Sequence, residues 1–410
     1  MEKLALLGGP KAKSVPYGTG KRFGEEELTQ LREALEQNTL FYWFGQKTKQ
    51  FREKFAAMYS MPYCTTSSSC TAAIHTALGT LGVGPGDEVI TSPITDMGSV
   101  IGIVLQNAIP VFADLDPHTY NMTAPSIAAR ITDKTKAIVV VHLAGNPADM
   151  DAITALAKER GIKVIEDCAQ SYLCYYKGRL TGTLGDIGCF SLNDFKHISA
   201  GDGGMCLMRE EAYYIKATRF ADKNYNRFGG NLREIPFIAP NYRINELTSA
   251  VAIAQLDKLE DICRKRTAYG DALTEGIKDL PGISVHKVEK GNTSSYWFYM
   301  LRLDVKKAGV SREKFVEALT AEGVLAYAGY IPCCVYEYDM FKNLSGFEGT
   351  TAPFDSAYYG RKIEYKKGLC PNAEAILETV IQLKVNEFYT EQDLQETIAA
   401  FRKVSRYFAQ

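Results

Sequence analysis

One stretch of the chain predicts the fold most directly: Asp151-Ala-Ile-Thr-Ala-Leu-Ala-Lys-Glu-Arg160, then Gly161, then Lys163-Val-Ile-Glu-Asp167. The first ten residues place their apolar side chains on one face of a helix. Gly161 can adopt the left-handed conformation that ends a helix. The five residues from 163 form a short run with an apolar centre, which is typical of a strand buried in a sheet. The stretch therefore predicts a helix that leads directly into a buried strand.

The same alternation of helix and strand extends upstream. Three further runs of β-branched and apolar residues predict strands: Glu88-Val-Ile-Thr91, Pro110-Val-Phe-Ala113 and Ala137-Ile-Val-Val-Val-His142. A helix over residues 97–106 is predicted between the first two. Strands that alternate with helices predict an α/β fold, in which helices cover both faces of a mostly parallel sheet.

The pattern changes after about residue 240. A long helical stretch, with a break expected near Leu259, is followed by one strand-like run and two further helices. These segments cover residues 244–266, 296–303, 311–322 and Glu391–Phe408. We therefore predict a large α/β domain over residues 1–255 and a smaller C-terminal α+β domain over residues 256–410.

The composition argues against several classes of protein. Among 410 residues, 47 Lys and Arg balance 48 Asp and Glu, so the net charge is −1. Proteins that bind nucleic acids or membrane surfaces carry a basic excess, so we expect neither partner. No apolar run approaches the roughly 20 residues of a membrane helix, and no secretory signal is seen, so we expect a cytoplasmic protein. The ten cysteines contain no Cys-x-x-Cys pair, which predicts reduced, mostly buried thiols and no metal site.

Residues that follow the predicted strands are the candidates for chemistry, because open α/β sheets bind ligands beyond the carboxyl ends of their strands. The run Thr65-Thr-Ser-Ser-Ser-Cys-Thr-Ala-Ala73 leads into a helix whose first N–H groups could bind a phosphate. Its hydroxyl residues could also serve only as helix caps. Asp167 ends a strand, with Gln170 three residues later. Its carboxylate could pair with a cationic ligand atom or could cap the next segment.

Lys196 is the third candidate. It follows a short apolar run and precedes the glycine-rich turn Gly201-Asp-Gly-Gly204. A lysine that is partly removed from water has a lowered pKa and can form a Schiff base, whereas a solvated surface lysine is the ordinary alternative. A phosphate-binding turn, a carboxylate and a lysine 29 residues after that carboxylate are together the parts of a pyridoxal 5'-phosphate (PLP) enzyme.

Seven short blocks and this lysine, in this order, resemble the DegT/DnrJ/EryC1/StrS family of PLP-dependent sugar and cyclitol aminotransferases over nearly the whole chain. The blocks are Leu6-Leu-Gly-Gly9, Ser69-Cys-Thr-Ala-Ala73, Gly82-Val-Gly-Pro-Gly-Asp-Glu-Val-Ile90, Glu166-Asp-Cys-Ala-Gln-Ser171, Gly188-Cys-Phe-Ser191, Gly201-Asp-Gly-Gly204 and Asn241-Tyr-Arg-Ile-Asn-Glu-Leu247. The resemblance implies the PLP-dependent transferase fold type I, with a large α/β/α domain and a smaller C-terminal α+β domain.

The resemblance also implies a role for each site residue. Lys196 would carry the internal aldimine and move a proton between substrate and cofactor, and Asp167 would keep the pyridine nitrogen protonated. The remaining cofactor-binding residues would contact the phosphate or the 3-hydroxyl group: Cys70, Thr71, Gln170, Ser191 and, from the neighbouring subunit, Asn241. A homodimer with shared active sites is therefore implied.

Asp96 is the main departure from the family pattern. It stands where the family places an aromatic ring that stacks on the pyridine. We expect Asp96 to lie near the cofactor and to help recognise a hydroxyl-rich or amino-bearing substrate. The segment Gly329-Tyr-Ile-Pro-Cys-Cys334 either shapes the substrate mouth or forms a core loop, and both interpretations are open.

The expected reaction follows from the resemblance. An amino group would move from glutamate or glutamine to a ketone on a sugar, possibly a nucleotide-linked one, or on a cyclitol, in two ping-pong half-reactions. One alternative is a PLP-dependent sugar dehydratase, in which histidine replaces the Schiff-base lysine, so Lys196 counts against it. The other is a non-catalytic PLP-binding sensor, which the complete set of cofactor residues disfavours.

Overall fold

The computed structural model describes residues 2–409 and contains thirteen β-strands in that range. They are β1 (Tyr63–Ser67), β2 (Glu88–Thr91), β3 (Ile109–Phe112), β4 (Thr135–Val141), β5 (Lys163–Asp167), β6 (Tyr175–Tyr176), β7 (Arg179–Leu180), β8 (Ile187–Ser191), β9 (Gly204–Met208), β10 (Ile283–Val285), β11 (Phe298–Leu303), β12 (Ala326–Ala328) and β13 (Val380–Lys384). Seven of them form one sheet in the order β1-β9-β8-β5-β4-β2-β3. Only β9 is antiparallel to the other six strands of this sheet, so the sheet is mostly parallel, as predicted.

Helices connect and cover these strands. They are α1 (Glu25–Glu36), α2 (Lys47–Met58), α3 (Cys70–Thr80), α4 (Gly98–Leu105), α5 (Ala124–Ala128), α6 (Met150–Arg160), α7 (Glu211–Phe220), α8 (Glu246–Ile277), α9 (Val305–Ala308), α10 (Arg312–Ala321), α11 (Asp339–Lys342), α12 (Pro371–Thr379) and α13 (Glu391–Phe408). The stretch that opened the prediction is α6 followed by β5. Gly161 ends α6 in the left-handed conformation, as predicted.

The side chains of the large sheet alternate between two cores. Along β8, Cys189 belongs to the same core as Ile74 of α3, whereas Phe190 packs against Phe55 of α2 and belongs to the same core as Leu256 of α8. This alternation is the period of two that a strand imposes. Because helices cover both faces of the sheet, all five residues of β8 are buried. This explains why the central strands are continuous apolar runs in the sequence.

A second, antiparallel sheet has the strand order β10-β11-β13-β12. It packs with α10 and α13 around a core of its own. The segment before α1 joins this core, since Leu4 is buried in it and the Lys13 ammonium lies 2.6 Å from a carboxylate oxygen of Asp393. Residues 334–377 instead join the core of the large sheet, where the Tyr365 hydroxyl donates to the Pro110 carbonyl. The division at residues 255 and 256 remains a proposal, and α8 runs continuously through that point.

One local prediction is wrong. The break expected near Leu259 does not occur, because α8 is a single helix of 32 residues. Leu256, Leu259, Ile262 and Cys263 are all buried along it, so one apolar stripe continues through the expected break. The helix α13 has its predicted bounds, with the capping box of Thr390 and Asp393 at its start.

Two features of composition are also seen in the structure. Nine of the ten cysteines are buried and Cys333 is partly exposed, which confirms the predicted burial of the thiols. Between residues 2 and 409, no helix combines the length and the apolar character needed to cross a lipid bilayer.

Candidate active site

A pocket of about 340 Å³ opens at the carboxyl ends of β5 and β8, beside the first turn of α3. It brings together seven of the eight residues predicted to bind the cofactor: Cys70, Thr71, Asp96, Asp167, Gln170, Ser191 and Lys196. The eighth, Asn241, does not line this pocket. It is exposed and forms an isolated β-bridge with Asp222.

The start of α3 offers free donors to the pocket. Ser69 caps the helix by accepting a hydrogen bond of 3.1 Å from the Ala72 N–H, so the predicted capping role is confirmed for Ser69. The N–H groups of Cys70 and Thr71 have no acceptor within residues 2–409. A side chain at Gly204 would reach within 2.2 Å of the Ser69 carbonyl oxygen, so glycine alone lets β9 approach this turn. Free N–H groups at the positive end of a helix favour an anion.

Asp167 lies at the other end of the pocket and is buried. Its Oδ2 accepts a hydrogen bond of 2.6 Å from the Ser99 hydroxyl, and its Oδ1 accepts one of 3.0 Å from the Ala169 N–H. Burial raises the pKa of Asp167, and the hydrogen bonds from Ser99 and Ala169 oppose that rise. The site therefore places a carboxylate where a cationic donor would relieve the cost of its burial.

Lys196 lies between these two ends, on the loop that joins β8 to β9. Its Nζ lies 3.7 Å from the centre of the Trp297 ring, an attractive contact between a cation and an aromatic face. Burial lowers the pKa of Lys196, while Cys70, Asp167 and Asp96 act in the opposite direction. A lowered pKa makes the neutral, nucleophilic amine more available at neutral pH.

Gln170 is oriented by its neighbours. Its Oε1 accepts a hydrogen bond of 2.7 Å from the Ala144 N–H, so its Nε2 is directed to the pocket, where it donates to the Tyr330 hydroxyl at 3.2 Å. The Tyr330 ring packs against Phe298 at 4.8 Å between ring centres. Tyr330 lines the pocket, which supports the first of the two interpretations of residues 329–334.

Asp96 lies at the rim of the pocket and is exposed. Its Oδ1 accepts a hydrogen bond of 2.8 Å from the Gly98 N–H, and its Oδ2 has no donor within residues 2–409. No aromatic ring occupies position 96. The aromatic side chains of the pocket come instead from Phe195, Trp297 and Tyr330.

Sequence reasoning missed several residues of this pocket. They are Thr95, Ser99, Asn193, Phe195, Asp202 and Trp297, whereas Tyr330 lies in the segment that was predicted as a possible substrate mouth. Ser99 lies near the start of α4, where a hydroxyl following a predicted strand was a usable signal. Trp297 carried no such signal, because it lies 101 residues after Lys196 in the chain and enters the pocket from the start of β11.

The donor set fits PLP. The unpartnered N–H groups of α3 suit a phosphate, the buried Asp167 carboxylate suits a protonated ring nitrogen, and the Lys196 amine suits an aldehyde. These three groups line one pocket, and its volume of about 340 Å³ falls within the range of small-molecule sites.

Comparisons with known proteins agree with this geometry. The model of the DegT/DnrJ/EryC1/StrS aminotransferase family matches residues 21–354. The spore coat polysaccharide biosynthesis protein SpsC of Bacillus subtilis is 31% identical over 392 residues, covering 93% of this chain and 95% of the relative. A putative L-glutamine:3-amino-2,3-dideoxy-scyllo-inosose aminotransferase of Micromonospora echinospora is 33% identical over 332 residues, covering 79% and 78%.

A solved structure extends the comparison to the fold. The aminotransferase from Psychrobacter cryohalolentis superposes with a TM-score of 0.83 at 29% identity, covering 96% of this chain and 100% of that one. The family match, the relatives and the fold lead to one conclusion. The chain belongs to the DegT/DnrJ/EryC1/StrS aminotransferase family and is a PLP-dependent aminotransferase of fold type I.

Proposed function

We propose that this enzyme moves an amino group from glutamate or glutamine to a ketone on a sugar or a cyclitol, in two half-reactions at one PLP site. The observation that carries the proposal is the single pocket that holds the Lys196 amine, the Asp167 carboxylate and the free N–H groups of α3. The inosose relative names L-glutamine as its donor and an amino-bearing cyclitol ketone as its acceptor, which supports both choices.

Each residue of this chain has a defined task in the proposal. PLP, when bound, supplies an electron-withdrawing ring that stabilises negative charge on the substrate carbon. Asp167 would accept a hydrogen bond from the ring nitrogen and keep it protonated. The Cys70 and Thr71 N–H groups and the Ser191 hydroxyl would hold the phosphate, and the Gln170 Nε2 would donate towards the 3-hydroxyl group.

Lys196 has two tasks. Its amine would hold PLP covalently, because an unprotonated amine can react with an aldehyde. When this amine is free, it would act as the base that takes a proton from the substrate carbon that bears nitrogen, and as the acid that gives the proton back. Burial lowers the pKa of Lys196, which makes its unprotonated form, the form that can act as a base, more available.

The two alternatives make different demands on this pocket. A sugar dehydratase of this family has histidine in place of the lysine, so Lys196 favours amino transfer. A sensor needs only the residues that bind the cofactor. The two functions therefore differ in whether an amino donor reacts with the bound cofactor, which the following test measures.

The first test is an absorbance spectrum of the purified protein with PLP, before and after L-glutamate or L-glutamine is added. We expect a yellow band that bleaches with the donor and is absent in Lys196→Ala. Lys307→Ala, an exposed lysine on α9, is the matched control and should behave as wild type. A band that forms but bleaches with neither donor would point to a different donor, a lyase-like reaction or a sensor, and no band at all would remove Lys196 from its role.

We also propose that Asn241 acts on the phosphate in a second copy of the chain, so that a homodimer shares its two sites. Its exposed position, away from its own pocket, supports this. Mixing Lys196→Ala with Asn241→Ala should then restore part of the activity, because each mixed dimer contains one intact site. Unrestored activity after proven subunit exchange would contradict sharing.

Asp96 is proposed to contact the acceptor. Its free Oδ2 at the rim of the pocket could accept hydrogen bonds from hydroxyl or ammonium groups. Asp96→Ala should retain PLP and the first half-reaction but should raise KM for the ketone about tenfold. Unchanged turnover over a panel of keto-sugars and keto-cyclitols would exclude this role.

A further inference from the structure

The loop that carries Lys196 is held by side chains from distant parts of the chain. This lysine loop, residues 192–203, joins β8 to β9. Four successive carbonyl groups, from residue 194 to residue 197, each accept a hydrogen bond from Arg22 or Trp297. Together these bonds bind the backbone on both sides of Lys196.

The distances show how tightly the two side chains engage the loop. The Arg22 guanidinium donates to the carbonyl oxygen of Asp194, to that of Lys196 at 2.6 Å, and to that of His197 at 3.1 Å. The Trp297 indole N–H donates to the carbonyl oxygen of Phe195 at 2.7 Å. A planar guanidinium can serve several acceptors at once, which the single ammonium group of a lysine does with less directional control.

A buried ion pair holds the two side chains in turn. The Arg266 guanidinium donates to Oε2 of Glu387 at 2.7 and 3.0 Å, and to the Trp297 carbonyl oxygen at 3.2 Å. The Nε of Arg22 lies 3.9 Å from Oε1 of the same Glu387. The side chains of Arg266 and Glu387 are only 6% and 5% exposed, so these charges are little screened by water.

We propose that Arg22 and Trp297 are positioning residues, which fix the backbone of the lysine loop so that the Lys196 amine is directed into the cofactor pocket. A lysine side chain is a flexible chain of four carbons. The position of its amine is therefore fixed only if its backbone and the residues around the side chain are fixed. Trp297 does both, because its N–H binds the loop while its ring lies 3.7 Å from Nζ of Lys196.

The arrangement also connects three parts of the fold. Arg22 precedes α1, Arg266 lies on α8 and Glu387 follows β13. Glu387 is beyond residue 354, where the family match ends. The proposal rests on the proposed role of Lys196 as the residue that bonds to PLP.

The test measures how fast residue 196 captures PLP, independently of turnover. Cofactor-free protein is mixed with PLP and quenched with borohydride after increasing times, and the modified Lys196 peptide is quantified by mass spectrometry. The variants are Arg22→Ala, Arg22→Lys and Trp297→Phe, the last of which keeps a ring but lacks the N–H group. The control is Arg264→Ala, an exposed arginine that is paired only on the surface of α8. A melting curve of each variant reports its folding.

We expect Arg22→Ala and Trp297→Phe to capture PLP about tenfold more slowly than wild type, with Arg22→Lys between them and wild type. The value of kcat should fall in parallel, while KM for the amino donor changes less than about twofold, since the loop positions the amine and does not bind the donor. Capture at the wild-type rate by both Trp297→Phe and Arg22→Lys would overturn the proposal, even if their melting temperatures fall. If Arg22→Ala does not fold, those two variants decide the outcome.

The same experiment separates this proposal from the proposed function. If wild-type protein captures no PLP at residue 196, the role of Lys196 is wrong and the positioning proposal is excluded with it. If wild type and variants capture PLP alike, only the positioning proposal is excluded.

Discussion

The Ser99 hydroxyl donates a hydrogen bond of 2.6 Å to Oδ2 of Asp167, across 68 positions of the chain. Ser99 lies on α4 and Asp167 ends β5, so the bond joins the helix after one strand to the end of another. Both side chains are buried. Burial alone would favour the neutral, protonated form of Asp167. The hydrogen bond from Ser99 instead stabilises the charged carboxylate.

The substitution Ser99→Ala should therefore weaken PLP binding. Loss of one hydrogen bond to a buried charged group costs about 1.5 kcal/mol, which is about tenfold in the cofactor Kd. The pKa of Asp167 should also rise further, because Ser99 opposes the effect of burial. Equilibrium dialysis with PLP measures the affinity, and the control is Ser284→Ala, which changes an exposed residue of β10. A Kd within twofold of wild type would contradict the role of this bond.

Asp167→Asn should stabilise the cofactor-free protein while abolishing activity. A pKa raised by burial means that native Asp167 binds its proton more tightly than the unfolded chain does. The stability of the cofactor-free wild type should therefore fall as pH rises from the unfolded pKa through the raised folded pKa. The neutral amide lacks this dependence, so the variant should gain about 1 kcal/mol at pH 8.

Two measurements check this pair of effects. Urea unfolding of both cofactor-free proteins at several pH values between 4 and 8 should show a difference that grows with pH. Turnover should fall at least ~100-fold, because an amide does not keep the ring nitrogen protonated. Equal unfolding free energies of wild type and Asp167→Asn at every pH would show that burial does not raise the pKa of Asp167.

Glu166 should contribute to the stability of the fold rather than to catalysis. Its carboxylate accepts hydrogen bonds from the N–H groups of Gly182, Leu184 and Gly185 at 2.7–2.8 Å, and from Nε2 of His142 at 3.0 Å. Burial alone would raise the pKa of Glu166, but the bonds from His142 and the backbone outweigh it and lower that pKa. Glu166→Gln should cost about 3 kcal/mol of unfolding free energy at pH 7.

The sign of the pH dependence gives a second check on Glu166. A lowered folded pKa contributes stability that is fully present above the unfolded pKa and is lost as pH falls towards the folded value. The difference between wild type and Glu166→Gln in urea should thus shrink between pH 6 and pH 3. A difference that is constant with pH would mean that the charge is not what stabilises this loop.

Lys13→Met should loosen the segment before α1. The Lys13 ammonium lies 2.6 Å from Oδ1 of Asp393, and their side chains are 1% and 2% exposed. Removing one partner of a buried ion pair costs about 3 kcal/mol, because the other charge stays buried without its cationic partner. The double variant Lys13→Met, Asp393→Asn should recover part of this loss. Thermal unfolding measures all three proteins, and PLP capture should be unchanged in each that folds.

The sequence alone predicted four of the seven strands of the large sheet, β2, β3, β4 and β5. The strands at Glu88–Thr91 and Lys163–Asp167 occur with their predicted bounds, because a central parallel strand needs a local apolar run between turn residues. The helix α13 was equally predictable, since its cap and its apolar stripe are both local. The unbroken course of α8 was not predicted, because burial against neighbouring elements, and not local propensity, continues a helix of that length.

The sequence alone also indicated Lys196, Asp167 and the start of α3, since each follows a strand and each has a local pattern. Only the tertiary structure showed what surrounds them. Ser99, Trp297 and Arg22 act on Asp167 and Lys196 across 68 to 174 positions of the chain. No local pattern encodes such contacts, because a hydrogen bond depends on where the packed elements bring its donor and acceptor, and that placement is a property of the whole fold.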